Sequence, residues 1–352
     1  MSEFVNLLFT VSATLMIATP DNSQRHYPVM LPEVLAALAP KAGGVYVDGT
    51  FGAGGYTRGI LSTAGSKVIA IDRDPNAISD GASLVSQSEG RLQLVRGTFG
   101  DMQNVIADLG LSKVQGVVLD IGVSSMQIDE AERGFSFMRE GPLDMRMGQE
   151  GKSAADYVNS LAAEELAQII FVFGEEPRSR SIAKAIVTAR AEAPLMTTID
   201  LVKAVERATG PQRAKDRTHP ATRTFQALRI HVNAELDELA MALCAAEEIL
   251  DEGGRLVVVT FHSLEDRIVK KFFAARAGKL PTGSRYMPEA HSGPLPSFDL
   301  IYKGHIEASE IEKLDNPRSR SAKLRAVVRT SAAAFPFDVA GMAVPQLRGG
   351  KH

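Results

Sequence analysis

Apolar residues change their spacing several times along the 352-residue chain. From Tyr46 onward, short apolar runs alternate with stretches of helical periodicity, the pattern that builds a parallel sheet covered by helices on both faces. Residues 45–47, 68–71, 92–95, 117–119 and 256–259 read as five strands. Two later β-like runs, 298–302 and 324–329, are expected to pair as an antiparallel hairpin at the sheet edge. More than 130 residues separate the fourth run from the fifth, whereas a crossover needs about a dozen plus its helix. Leu161, Leu166, Ile169 and Ile170, then Ile182, Ala185 and Ile186, recur at three- and four-residue spacing, so a helical insert is expected there. The expected division is a mobile extension over 1–25, an α/β domain built from 26–129 and 229–335, a helical inserted domain over 130–228 that recognises substrate, and a tail over 336–352. Residues 234–250 read as the helix that feeds the fifth strand.

Composition narrows the class. With 45% hydrophobic and 23% charged residues, the chain has the profile of a globular protein of about two domains. Cys244 is its single cysteine, which excludes an intramolecular disulfide or a thiolate zinc cage and fits a reducing cytoplasm. It sits in an alanine-rich stretch and reads as a small buried helix residue. A net charge of −3 argues against non-specific coating of nucleic acid, which needs a broad positive field, but leaves room for local basic patches. Residues 4–18 are mostly apolar, yet they lack the positive start of a signal peptide and the roughly 20 residues needed to span a bilayer. They read as a poorly ordered extension, with Met16 an alternative start to Met1. No membrane association is expected.

The chemistry concentrates at the ends of the strand-like runs. The first run ends at Asp48 and enters a turn holding Gly49, Gly52, Gly54 and Gly55. Glycine permits positive φ and close approach of a ligand to the backbone, and the following helix would aim free N–H groups at it. Either a nucleotide-like ligand or a plain tight turn follows. Asp72 ends the second run, 24 residues after Asp48. It is placed to hold a ribose diol or, alternatively, to cap the helix near Pro75. The dinucleotide fingerprint wants Gly or Ala at its sixth position, where this chain has Thr57, which tilts the reading from NAD towards S-adenosylmethionine. Phe99 stands where an adenine ring would lie, or is plain core. Asp120 ends the fourth run, facing the sulfonium or amino-acid part of such a cofactor.

Longer motifs then carry a resemblance. His26-Tyr27-Pro28-Val29-Met30, Asp48-Gly49-Thr50-Phe51-Gly52, Asp120-Ile121-Gly122-Val123-Ser124-Ser125, Glu132-Arg133-Gly134-Phe135-Ser136-Phe137, Gly141-Pro142-Leu143-Asp144-Met145-Arg146-Met147, His219-Pro220-Ala221-Thr222-Arg223-Thr224-Phe225-Gln226-Ala227 and Phe261-His262-Ser263-Leu264-Glu265-Asp266-Arg267 occur in order. Together they resemble the MraW (RsmH) family of bacterial 16S ribosomal RNA cytosine-N4 methyltransferases. The resemblance implies a class I S-adenosylmethionine-dependent fold with a helical insert, S-adenosylmethionine as methyl donor, and a decoding-centre cytidine of the small ribosomal subunit as acceptor. It places cofactor contacts on Gly54, Gly55, Tyr56, Asp72, Phe99, Asp120 and Gln127. Tyr56 departs from the histidine usual after the glycine pair, and Met126 from a proline before Gln127.

Methyl transfer to an exocyclic amine needs alignment and a proton acceptor, and no metal. Many amino-methyltransferases hold the amine with an Asn or Asp followed by Pro-Pro and an aromatic residue, whereas Asp120 is followed by Ile-Gly-Val-Ser-Ser. The amine-holding residue stays open among Asp120, Asp144 and His262. Arg213, Lys215, Arg217, His219, Arg223 and Arg229 form one candidate RNA-facing stripe, and Arg318, Arg320, Lys323 and Arg325 another. Phe135 and Phe137 are candidates for an aromatic clamp on an unstacked base, with core packing as the alternative. An NAD-dependent dehydrogenase and a non-catalytic ribosome-assembly factor are the rival classes.

Overall fold

A computed structural model describes residues 28–213, 218–279, 294–338 and 340–347. One sheet contains β1 (Val45–Asp48), β2 (Lys67–Asp72), β3 (Leu92–Arg96), β4 (Val114–Asp120), β5 (Leu250–Thr260), β6 (Phe298–Leu300), β7 (Ile306–Glu307) and β8 (Lys323–Arg329). Their order is β3-β2-β1-β4-β5-β8-β6, with β7 also on β8. The pairings among β1 to β5 are parallel, and β8 runs antiparallel between β5 and β6. All five expected strands are present, and so is the late hairpin, although its first strand ends at Leu300. β7 spans two residues, too few to leave a periodicity in the sequence. This is the class I methyltransferase sheet. Strand order reverses between β1 and β4, so a crevice opens at their carboxyl ends.

The first helices are α1 (Leu31–Leu38), α2 (Gly55–Leu61), α3 (Pro75–Asp80), α4 (Ala82–Gln87), α5 (Met102–Asp108) and α6 (Ser125–Asp129). Between β4 and β5 follow α7 (Ala154–Ser160), α8 (Ala163–Gly174), α9 (Ser179–Glu192), α10 (Thr198–Thr209), α11 (Thr222–Asn233) and α12 (Glu235–Ile249). After β5 come α13 (Ser263–Arg276) and α14 (Glu310–Asp315). Capping boxes start several of them: Ser153 with Asp156, Thr197 with Asp200, and His262 with Glu265.

Alternation along each strand separates two cores. Val47, Ile69, Val117, Leu119 and Val258 face one cluster, while Tyr46, Val68, Ala70, Val118 and Val259 face the other. The first cluster runs without a break into the buried faces of α8 to α12, including Leu166, Ile170, Ile182, Ile186, Leu201 and Leu228. Two polar residues tie loop 130–153 to the start of α3 and to the end of α11. Buried Arg133 donates to Asp74 Oδ2 at 2.7 Å and to the carbonyls of Arg146 and Met147. Asn233 donates to the Met145 carbonyl and accepts the Met147 N–H.

Cys244 lies half-buried on α12, and burial pushes its thiol up to about 11, so it stays protonated at neutral pH. Among the described residues, no helix is long and apolar enough to cross a membrane. The expected extension over 1–25 lies outside the described residues.

Candidate active site

The carboxyl ends of β1, β2 and β4 surround a cavity of about 350 Å³. Asp48 is buried behind it: Thr57 Oγ1 donates to the carboxylate at 2.7 Å and the Thr50 N–H at 3.2 Å. Burial raises this carboxyl to about 6, against the pull of those bonds. Thr57 thus links α2 to β1 by a hydrogen bond, which neither Gly nor Ala at that position could make. Gly52 has φ 51°, and a Cβ there would meet nothing nearer than 3.9 Å, so the turn offers bare backbone to the cavity. Gly54 caps α2 at φ 75° but stands behind the wall, whereas Gly55 lines it.

Asp72 accepts the Gly52 N–H on Oδ2 at 2.7 Å and the Asp74 N–H on Oδ1 at 2.9 Å. Each oxygen keeps a lone pair, which suits two hydroxyl donors. The alternative of a helix cap falls to Asp74 instead, whose Oδ1 accepts the Asn76 N–H. Phe99 lines the cavity and also packs on the sheet core, so the two readings of it are compatible. Tyr56 is buried with its hydroxyl donating to the Val29 carbonyl at 2.5 Å. Its side chain therefore has a structural partner of its own. Gln127 lines the cavity, but its amide is engaged at both ends, accepting the Ser124 N–H and donating to Asp74 Oδ2 at 2.8 Å.

Asp120 differs from these. Its backbone N–H donates to Thr50 Oγ1 at 2.7 Å, yet its carboxylate Oδ1 is buried without a hydrogen bond among the described residues. Burial, then the charges of Asp48 and Glu265, raise this carboxyl to about 8. Of the three candidates for holding an amine, Asp120 alone lines the cavity. Asp144 is held by Arg146 through two side-chain bonds of 2.9 and 2.6 Å. His262 is the N-cap of α13, with Nε2 2.8 Å from Glu265 Oε1, at ion-pair distance but out of hydrogen-bonding alignment. Burial opposes ionisation of Glu265, but His262, Arg229 and the Phe261 N–H hold it below the usual carboxylate range.

Ligand atoms of Glu235, His262 and Glu265 lie within 4.8 Å of one another. Both oxygens of Glu235, however, are taken by the Arg229 guanidinium at 2.8 and 2.9 Å, which makes the group an ion network. An acidic base with an unpartnered carboxylate oxygen, below a bare-backbone turn, suits a cationic adenosine derivative.

A model of the MraW methylase family matches residues 23–330. The chain belongs to that family. A Parvibaculum lavamentivorans protein named Ribosomal RNA small subunit methyltransferase H is 57% identical over 336 residues, covering 94% of this chain and 98% of the relative. The Azorhizobium caulinodans protein of that name is 59% identical over 319 residues, covering 90% and 91%. A third, from Xanthobacter autotrophicus, is 58% identical over 331 residues, covering 93% and 95%. As an MraW-family enzyme, this chain is a methyltransferase that uses S-adenosylmethionine, which supplies an electrophilic methyl group when bound.

Other expectations for this family member meet mixed outcomes. Within the insert, Arg213 and Arg223 line a second cavity with Arg178, His219 and buried Glu176. Lys215 and Arg217 lie outside the described residues. In the late stripe, Arg325 is buried on Asp266, Lys323 is paired with it, Arg318 is paired with Asp129 at the cavity wall, and exposed Arg320 donates to the Lys313 carbonyl. Neither Phe135 nor Phe137 lines the cofactor cavity. Phe137 packs between His219 and Phe225 at centroid distances of 4.9 and 4.8 Å, and Phe135 lies under Arg133. Sequence reasoning also missed Arg229 and Met147 as wall residues, because the fold alone brings α11 and loop 130–153 over the sheet.

Proposed function

We propose that this enzyme methylates the N4 amino group of a cytidine in the decoding centre of 16S ribosomal RNA within the small ribosomal subunit, in the cytoplasm. The carrying observation is Asp120, which lines the cofactor cavity and whose Oδ1 is buried without a hydrogen bond among the described residues. An exocyclic amine that donates one N–H to Oδ1 has its remaining face free to attack. As the C–N bond forms and the methyl–sulfur bond breaks, the ionised Asp120 carboxylate would take the N4 proton, which leaves a neutral methylamino group and a neutral thioether. Asp72 and the 49–55 turn hold the adenosine end of the donor, and Phe99 lies beside its ring. The shared name of the relatives supports the choice of acceptor, and residues 130–228 serve as the substrate-recognition part. Arg213 and Arg223 there face the RNA backbone.

The test is incubation of small subunits lacking the modification with methyl-labelled S-adenosylmethionine, followed by nucleoside mass spectrometry. Label on cytidine N4, lost at least a hundredfold in Asp120→Asn, is expected. Label on another atom, or none from the wild-type protein, refutes the reading and would favour an assembly role.

A further inference from the structure

Asp120 is not the sole polar group of the cavity wall with unused capacity. Arg229, one turn before the end of α11, also lines it, with a side chain 16% exposed. Its Nε and Nη2 bind Glu235 Oε1 and Oε2 at 2.8 and 2.9 Å, while Nη1 makes no hydrogen bond among the described residues. A guanidinium is planar, so anchoring two of its nitrogens fixes the direction of the third. The anchor is itself firm. Glu235 is buried as the first residue of α12, directly after Ala234 turns the chain at φ 50°. Asn233 Nδ2 donates to the carbonyls of both Arg229 and Met145, which ties this turn of α11 to loop 130–153. Besides buried Arg73 Nε, the cavity wall thus carries an acceptor group at Asp120 and a fixed donor at Arg229 with capacity left over among the described residues.

We propose that Arg229 is a specificity-determining residue that reads the acceptor base, donating from Nη1 to N3 or O2 of the cytosine whose N4 amine rests on Asp120. The inference rests on the cytidine reading above. Along one edge cytosine presents an amino donor and then two acceptors, which complements a carboxylate oxygen followed by a guanidinium N–H. Uracil reverses the first two groups, setting O4 against the carboxylate and N3–H against the guanidinium. Arg229 is thereby removed from the RNA-facing stripe in which its sequence position placed it: it touches a base edge, not a phosphate. The other acceptor open to such a donor is the carboxylate of the cofactor's amino-acid part, and the experiment separates the two.

Removing Arg229 alone would strand the buried Glu235 carboxylate, so the principal variant is the double substitution Arg229→Gln with Glu235→Gln. Arg229→Lys, which keeps a charge beside Glu235, is the second. Each is measured for S-adenosylmethionine affinity by calorimetry. Each is also measured for kcat and KM on rRNA fragments carrying cytidine, 3-deazacytidine or 2-thiocytidine at the target position. Wild-type enzyme is expected to favour cytidine over at least one analogue about tenfold or more. In both variants that preference should fall to about twofold and KM for RNA should rise, with the cofactor Kd changed less than twofold. A tenfold weaker cofactor Kd with the base preference retained would overturn the proposal and assign Arg229 to the methyl donor. An unchanged preference with wild-type methylation intact overturns the Arg229 role alone, whereas absence of N4 methylation by the wild type overturns both readings.

Discussion

Asp48 should make this protein less stable at neutral pH than at pH 4, and replacing it with asparagine should reverse that. The carboxyl is fully buried below the cofactor turn and raised from 3.8 to about 6, mainly by desolvation. A raised folded-state value means that the folded chain binds this proton more tightly than the unfolded chain. The group's contribution to stability is therefore present below pH 3.8 and lost as pH rises through 6. About two units at 1.36 kcal/mol each give a loss of about 3 kcal/mol, complete by pH 7. An asparagine in its place would keep the acceptor for the Thr50 N–H and offer an amide donor to Thr57 Oγ1, with no charge to desolvate. Urea unfolding of both proteins between pH 4 and 8 isolates this group from the others, because their titrations cancel in the difference. The stability difference in favour of Asp48→Asn should grow by about 2.4 kcal/mol from pH 4 to 7 and then flatten. The coupling to Asp120 acts in the same direction, since Asp48 helps to raise that carboxyl. A difference that stays level across this range, or shrinks, would show that the buried carboxyl ionises without penalty.

Three further outcomes are expected. S-adenosylmethionine is a cation and should bind best when Asp120 is ionised. With that carboxyl raised to about 8 in the empty site, affinity should improve up to about tenfold per pH unit between 6 and 7.5 and level off above 8; calorimetry on Asp120→Asn should give a flat profile. Gly134→Ala places a Cβ 2.2 Å from the Pro142 carbonyl oxygen at φ 69°, so loop 130–153 must rearrange. Faster proteolysis of that loop and weaker cofactor binding should follow, and unchanged digestion would contradict the packing described. Glu247 binds Arg276 Nε, Ser297 Oγ and the Phe335 N–H in a buried network. Glu247→Ala should cost about 3–5 kcal/mol in urea unfolding, by stranding a buried guanidinium, while cofactor affinity holds.

The centre of the sheet was readable because β1, β2 and β4 are buried on both faces, so each announces itself as an apolar run followed by a polar residue at the strand end. Asp48, Asp72 and Asp120 could be placed for the same reason. The cavity roof was not readable. Arg229 looks like any basic helix residue until Glu235, six positions on, is seen to fork it, and that fork depends on the αL turn at Ala234. Charge spacing likewise does not reveal that Asp266 stands opposite Arg325 and Asp129 opposite Arg318. His262 drew notice as a polar residue in a long motif, but its local role is to cap α13 with Glu265.

The apolar cluster that continues from one face of the sheet into α8 to α12 bears on how this enzyme could have diversified. Sheet and insert share a single core, so the insert is not a cassette. Recombination that exchanged residues 130–228 for another helical segment would set the shared cluster, which passes from α11 to α12, against a surface it was never shaped for. Change of acceptor in such a scaffold is therefore expected to proceed by single substitutions along the cavity wall and the rim of α11.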